Sequence, residues 1–188
     1  LVLASSDRRI KKDIENVNDS YALDVIKNLE TKYYNYISRD NHEHHKTIGF
    51  IAQDVLKYFP EAVRTETNFI PNINKFYSKL KWSGNKTFFK DISNSKNKKF
   101  KFYCYNVDIS NVIERFYKND MPEEIVENLV CDEEDMFTFK KQYKTILVYG
   151  EEVDDFLTIS KEKIFTLHHS AIQELLKRIE KIESGKEE

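Results

Sequence analysis

Short helical and strand patterns alternate along the first third of the chain. The polar run Asn18–Ser20 predicts the N-cap of a helix of about ten residues. The apolar positions of this helix recur at helical spacing: Ala22, Leu23, Ile26 and Leu29. Alternating polar and aromatic residues predict a strand over Lys32–Ile37. A short apolar strand over Ile48–Ala52 and a helix of one or two turns over Gln53–Tyr58 follow.

The middle of the chain, residues 64–153, is rich in aromatic and charged residues. Alternation predicts strands over Phe100–Val107 and over Phe137–Tyr149. A helix is predicted over Met121–Val130, because Pro122 suits the first turn of a helix. We interpret this middle part as an insert within one folded head.

The clearest pattern is a helix over Ser160–Glu183. Its apolar residues follow the a/d pattern of a coiled coil: Phe165, Ile172, Leu175, Ile179 and Ile182. About three heptads are too few for a stable lone helix, so this helix needs partner helices or support from a domain. Ile at the a positions 172 and 179 agrees with a higher-order coil, although Ile at a with Leu at d also suits a dimer.

Composition and charge narrow the class of protein. The chain has 188 residues, 40% of them hydrophobic, and a formal net charge of −2. This predicts one ordinary domain or one domain with an appendage, and excludes wholesale disorder and collagen-like sequence. No apolar run reaches the ~18–20 residues that a membrane-spanning helix needs, so we expect no membrane partner. The balance of 30 basic and 32 acidic side chains gives no general basic surface for nucleic acid.

One stretch does have the composition of a surface that binds single-stranded nucleic acid. Residues 75–101 carry nine lysines and one acid, interleaved with aromatic rings. Residues 108–135 carry ten acids and few basic residues. We therefore expect the two segments to pair their charges within the fold, and we expect no nucleic-acid partner.

Neither the cysteines nor the histidines predict a metal site. Cys104 and Cys131 are too few for a disulfide framework or a four-ligand zinc site, so we expect both to be reduced and buried. The cluster His42–His45 is interpreted as part of a solvated polar loop. His168 and His169 are expected beside the coiled-coil seam. The sequence thus predicts no metal and no cofactor.

The strongest local signal for chemistry is the run Ser6–Lys11, Ser-Asp-Arg-Arg-Ile-Lys. A serine hydroxyl is a poor nucleophile at neutral pH and needs a base beside it to take its proton. A lysine amine can be that base when burial or a neighbouring cation leaves it neutral. A solvated, charged turn is the alternative interpretation of the same residues.

Further motifs give this run a context. In order they are Ser6-Asp7-x-Arg9-x-Lys11-x-x-Ile14, Gly-Phe-Ile-Ala-Gln-Asp-Val at 49–55, and Phe-Pro-Glu-Ala-Val at 59–63. Together they resemble the C-terminal intramolecular chaperone domain of phage endosialidases and tail fibres, the S74 peptidase family, a module also found in myelin regulatory factor. Ala-Ile-Gln-Glu-Leu at 171–175 is similar to the start of the family's terminal helix. The resemblance covers residues 1–63 and 154–183.

The resemblance implies an α+β fold, a small mixed α/β head with a C-terminal coiled-coil helix, assembled as a homotrimer. Residues 1–5 would be the end of an upstream fibre or stem chain. Residues 6–153 would be the chaperone head with its insert at 64–153, and 154–188 the coiled-coil segment. The implied partners are further copies of the chain and the upstream segment of the same polypeptide. The implied location is a virion fibre precursor that folds in the host-cell cytoplasm and loses its chaperone after cleavage.

The resemblance also implies a reaction, that of a single-turnover serine protease acting on its own chain. Members of the family cut themselves immediately before the motif serine, here the Ser5–Ser6 bond. By resemblance, Ser6 is the nucleophile and Lys11 is the general base. The residues expected to support the loop are Asp7, Arg9 and Gln53. Attack within one chain and attack by a neighbouring copy both stay open.

Two other functions stay open as well. A trimeric tip that remains uncleaved could bind a partner through the aromatic insert. A regulatory domain whose cleavage releases a DNA-binding fragment is suggested by the resemblance to myelin regulatory factor alone. We favour the viral fibre.

Overall fold

The computed structural model describes residues 5–37, 46–92, 97–112, 122–132 and 135–185. These residues form a mixed α+β protein with a long C-terminal helix, which confirms the predicted fold class at that level. The chain divides into two compact units. The first combines Leu1–Glu30, Phe50–Val63 and Ile159–Glu188, and the second combines Thr31–Gly49 and Arg64–Thr158. Each unit therefore joins segments that are distant in sequence.

Helices dominate the first unit. They are α1 (Asp19–Asn28), α2 (Ala52–Tyr58) and α3 (Lys161–Glu183), with a 3-10 turn at Pro60–Ala62. Asn18 caps α1, because its side chain accepts a hydrogen bond from the Tyr21 backbone N–H at 3.0 Å. The Ser160 side chain caps α3 in the same way. The cap of α1 lies in the run where the sequence predicts it, and α3 begins one residue after its predicted start at Ser160.

The core of the first unit is formed by one apolar face from each helix. Ala22 of α1, Val55 of α2 and Ile164 of α3 are all fully buried there. The backbone N–H of Ser160 donates to the carbonyl oxygen of Ala62 at 2.7 Å. This bond fixes the start of α3 against the 3-10 turn.

Strands dominate the second unit. They are β1 (Lys32–Tyr34), β2 (Thr47–Gly49), β3 (Val63–Phe69), β4 (Lys75–Ser78), β5 (Lys86–Thr87), β6 (Phe100–Tyr105), β7 (Glu124–Leu129), β8 (Phe137–Thr138) and β9 (Thr145–Ile159). A five-stranded sheet has the order β3-β9-β6-β7, and β4 also pairs with β9. Two small antiparallel pairs, β1 with β2 and β5 with β8, complete the set.

Aromatic rings fill the core of the second unit. Phe102 and Phe137 are fully buried and meet edge to face, with ring centroids 5.2 Å apart. Phe89 stacks on Phe102 at 5.4 Å. Cys104 and Cys131 are reduced thiols and both are buried, as predicted. Burial raises the pKa of the Cys104 thiol to about 12, so this side chain acts as a small apolar residue.

The helix predicted over Met121–Val130 is wrong. Glu124–Leu129 is strand β7, antiparallel to β6, with Ile125 opposite Tyr103. Pro122 favours a helix start locally, but cross-strand pairing with a buried neighbour outweighs that preference.

The strand predicted over Phe137–Tyr149 is also wrong in its extent. The chain forms the two separate strands β8 and β9, and β9 continues to Ile159. The segment predicted to begin at 154 therefore opens with the end of a strand, and α3 begins only at Lys161. Within β9, an added Cβ at Gly150 would lie 1.9 Å from the carbonyl oxygen of Ile70, so the close approach of these backbones requires glycine.

Ion pairs join the lysine-rich stretch to the acidic stretch that follows it. Lys86 pairs with Asp132 at 2.7 Å, and Lys101 pairs with Glu127 at 2.9 Å. The expected pairing of charges within the fold is confirmed for these residues.

Two further predictions concern membranes and metals. No helix in the described part of the chain is long and apolar enough to cross a membrane. The described residues also contain no group of three His, Cys, Asp or Glu side chains that could hold a metal ion. The His42–His45 cluster lies outside the described residues.

Candidate active site at the Ser6 turn

Residues 6–11, the Ser6 turn, fold as one tight unit. Arg8–Ile10 form a single 3-10 turn, which Asp7 caps at its start and Lys11 follows at its end. The Lys11 backbone N–H donates to the Arg8 carbonyl oxygen at 3.1 Å. The chain therefore reverses over a few residues, and side chains at its two ends can meet.

Asp7 and Arg9 fix the shape of the turn. The Asp7 carboxylate accepts hydrogen bonds from the Arg9 backbone N–H at 2.8 Å and from the guanidinium at 2.7 and 3.0 Å. The guanidinium bonds hold the pKa of the Asp7 carboxyl below its usual value, and the backbone bond acts in the same direction. Both side chains are exposed, so this pair contributes geometry more than stability.

The Ser6 hydroxyl and the Lys11 amine are in direct contact. Lys11 Nζ donates a hydrogen bond to Ser6 Oγ at 2.7 Å. A nucleophile and its base need this distance for proton transfer. A lysine ammonium can only donate, so the amine must first lose its proton, and burial favours the neutral form. Residues 5–11 are exposed in the single chain.

The remaining predicted residues are Ser5 and Gln53. Ser5 directly precedes the turn and is exposed. Gln53 lies in the first turn of α2 with an exposed side chain, and no hydrogen bond among the described residues connects it to the Ser6 turn. The structure thus brings Ser6 to Lys11 and Asp7 to Arg9, and among the described residues it gives Gln53 no hydrogen bond to any of them.

A cluster around Asp19 is absent from the sequence predictions. The Asp19 carboxylate accepts hydrogen bonds from the Ser170 hydroxyl and, at 2.6 Å, from Lys177 Nζ. These bonds, that of Lys177 first, lower the pKa of the Asp19 carboxyl. The one sequence feature that points to this cluster is Ser170, a polar residue on the same face of α3 as the buried Leu167 and Ala171.

Comparison with known protein families supplies the deciding observation. The family model of peptidase S74, chaperone of endosialidase, matches this chain from the serine of the Ser6 turn onwards. The match covers residues 6–64, the S74 region, which is about a third of the chain. This S74 region contains the Ser6 turn, α1 and α2, and the resemblance drawn from the sequence is confirmed for these residues. The match supports a chaperone-like role for this region.

The chain also has a viral relative. It is similar to an uncharacterized protein VP1 of Micromonas pusilla reovirus (isolate Netherlands/2005), with 26% identity over 221 residues. The similarity covers 95% of this chain and 12% of the relative, so the chain spans about an eighth of that protein's length. It therefore extends beyond the S74 region into residues that the family model does not match.

Proposed function

We propose that this chain is an intramolecular chaperone that trimerises, aligns an upstream fibre segment of the same polypeptide, and then releases itself by cutting the Ser5–Ser6 bond. The observation that carries the proposal is the 2.7 Å contact of Lys11 Nζ with Ser6 Oγ inside an S74 region. The viral relative supports a viral context for the chain, and we propose a virion fibre precursor within it. Such a precursor would fold in the host-cell cytoplasm and lose its chaperone after cleavage.

In the proposed reaction, a neutral Lys11 amine takes the proton from Ser6 Oγ as this oxygen attacks the carbonyl carbon of Ser5. The peptide C–N bond then breaks, and the proton passes from Lys11 to the departing Ser6 amine. Water hydrolyses the resulting ester, which frees the Ser5 carboxylate and restores the Ser6 hydroxyl. Because nucleophile, base and scissile bond belong to one short segment, positioning alone lowers much of the barrier.

Trimerisation would supply the burial that the base needs. Six apolar residues on α3 are between 45% and 66% exposed in the single chain: Phe165, Ile172, Leu175, Leu176, Ile179 and Ile182. Ile10 and Ile14, on either side of Lys11, are 66% and 54% exposed. Contact between copies would remove such surfaces from water and place Lys11 in a drier environment, which favours its neutral form. Cleavage would then occur only after assembly, so a cleaved chain would indicate that its trimer has formed.

The first test is intact mass spectrometry of the chain with a reporter polypeptide joined to its N terminus. We expect the wild type to yield a fragment that begins at Ser6. Ser6→Ala and Lys11→Met should stay whole yet remain trimeric, because both side chains are exposed and leave the core unchanged. The matched control is Lys12→Met, since Lys12 is 93% exposed and its one ion pair within the described ranges is that with Asp13, at 3.8 Å. This control should be cleaved like the wild type.

The contrary outcome has a clear meaning. If the wild type stays whole while it sediments as a trimer, the self-cleavage proposal is overturned. The function that remains is an uncleaved trimerisation tip that binds a partner, which the exposure of Lys11 in the single chain favours.

Mixed trimers of wild-type and Ser6→Ala chains with different reporters separate the two routes of attack. Attack within one chain removes only the wild-type reporter.

A further inference from the structure

A pocket in the second unit lies outside the S74 region and takes no part in the proposed cleavage. It is a cavity of about 610 Å³, and the residues that line it include Lys79, Trp82, Asn106, Asp108, Gln142 and Lys144. We propose that this cavity, the Trp82 pocket, binds an acidic saccharide, that is, a sugar ring that carries a carboxylate. The proposal is independent of the chaperone function.

The aromatic wall of the Trp82 pocket is held in place by the core. Trp82 is half-buried, and its ring meets Phe139 edge to face at 5.8 Å. Tyr143, which also lines the pocket, is 3% exposed and donates its hydroxyl to Glu124. A fixed, flat ring offers an apolar surface to the C–H face of a sugar and needs little ordering when the ligand arrives.

Polar groups in the lining suit hydroxyl groups. Gln142 Nε2 donates to the Gly84 carbonyl oxygen at 2.7 Å, which fixes the amide and leaves its oxygen as an acceptor. The side chains of Asn106 and Asp108 make no hydrogen bond within the described ranges. An amide and a carboxylate with open positions can together donate to and accept from the hydroxyl groups of a ring.

The charge of the lining indicates an acidic group on the ligand. Within the described part of the chain, Lys79 and Lys144 make no ion pair, whereas Lys86 and Lys101 are paired with carboxylates. Two ammonium groups and the one carboxylate of Asp108 leave the pocket with a net positive charge. One carboxylate on the ligand balances that charge, whereas a phosphate dianion would leave the occupied pocket with a net negative charge.

The test uses the fluorescence of Trp82, the only tryptophan of the chain. The probes are oligomers of galacturonic, glucuronic and mannuronic acid, each beside its neutral counterpart. We expect a saturable change with at least one acidic oligomer and much weaker binding of its neutral counterpart. The double variant Lys79→Gln, Lys144→Gln should weaken binding roughly tenfold or more, because charge-assisted hydrogen bonds are lost. The control Lys81→Gln changes an exposed lysine outside the pocket lining and should bind like the wild type.

Three results would overturn the proposal. They are no saturable change with any acidic oligomer at millimolar concentration, equal binding of the neutral counterparts, and unchanged binding by the double variant. Tighter binding of adenosine monophosphate than of every sugar would assign the pocket to nucleotides instead. None of these results bears on cleavage at Ser6, since every residue that lines the pocket lies outside the S74 region.

Discussion

At the scale of single residues, Asp19 connects α1 to α3 through its charge. Hydrogen bonds from Lys177 and Ser170 hold the pKa of its carboxyl below the usual value, and nearby His169 acts in the same direction. The folded state therefore favours the ionised Asp19 carboxylate. This preference stabilises the fold at pH values above the unfolded pKa of about 3.9, and the stabilisation is lost as pH falls through the lower pKa of the folded state. We expect Asp19→Asn to lower the melting temperature at neutral pH, and the difference from wild type to vanish in acid.

Thermal unfolding followed by circular dichroism across the acid range checks this prediction. Asp24→Asn is the matched control, since Asp24 lies on the same helix with an exposed side chain. It should follow the wild-type pH profile at every point. A melting temperature of Asp19→Asn that stays equally far below wild type at all pH values would show that the ionised carboxylate is not the cause.

The two residue clusters differ in how far the sequence predicts them. Ser6 and Lys11 are five positions apart, and one 3-10 turn is enough to join them, so the motif predicts their contact. Asp19 and Ser170 are 151 positions apart, and only the packing of α1 on α3 brings them together. A pattern read along the chain carries no information on such a pair.

At the scale of elements, Gly150 sets the path of β9 beside the segment that follows β3. A Cβ at this position would lie 1.9 Å from the Ile70 carbonyl oxygen and 2.9 Å from the Asn72 backbone nitrogen, and backbone atoms cannot move aside as a flexible side chain can. We expect Gly150→Ala to lower the free energy of unfolding by roughly 3 kcal/mol, the upper range for forcing extra atoms into a packed site. Urea denaturation followed by circular dichroism measures this change.

Gly84→Ala is the control for this substitution. Gly84 has open space around it but a φ of +59°, so an alanine there meets no neighbour and bears only the cost of the left-handed backbone, about 1–2 kcal/mol. The prediction fails if Gly150→Ala is no more destabilising than Gly84→Ala. In that case the two backbones would have room to separate.

Elements that carry their own boundary signals are predicted well. The caps at Asn18 and Ser160 mark helices whose N-terminal bounds the structure reproduces. Strand β7 has no such boundary signal in its sequence. Its pairing with β6 determines its conformation. The extension of β9 to Ile159 likewise depends on its neighbours in the sheet, not on its own sequence.

At the scale of the whole molecule, the two halves of α3 differ in what they contact: the first half packs in a core with the helices of the S74 region, and the second half carries exposed apolar residues. Its first half buries Ile164, Leu167 and Ala171 in the core of the first unit. Its second half exposes apolar residues at coiled-coil spacing, including Ile179 at 49%. The same helix can therefore support the head of one chain and join it to other copies, which is how the proposed chaperone would couple folding to assembly.

Introducing a lysine into the second half of α3 tests this coupling. Ile179→Lys places a charge at an a position, and we expect it to convert the proposed trimer to monomers, with a loss of about 2 kcal/mol per copy from the side chain that assembly would bury. Cleavage at Ser6 should disappear with it, because Lys11 then stays exposed. Glu180→Lys is the matched control, since it introduces the same residue one position further on, outside the a/d seam, at an exposed site.

Sedimentation equilibrium gives the number of copies, and intact mass gives the cleaved fraction of the same samples. Glu180→Lys should remain trimeric and cleave like the wild type. If Ile179→Lys becomes monomeric and still cuts itself, assembly is not what activates Lys11, and the base must be neutralised within the single chain. If both variants remain trimeric, the second half of α3 does not form the interface, and the copies must associate through other surfaces such as the exposed Ile10 and Ile14.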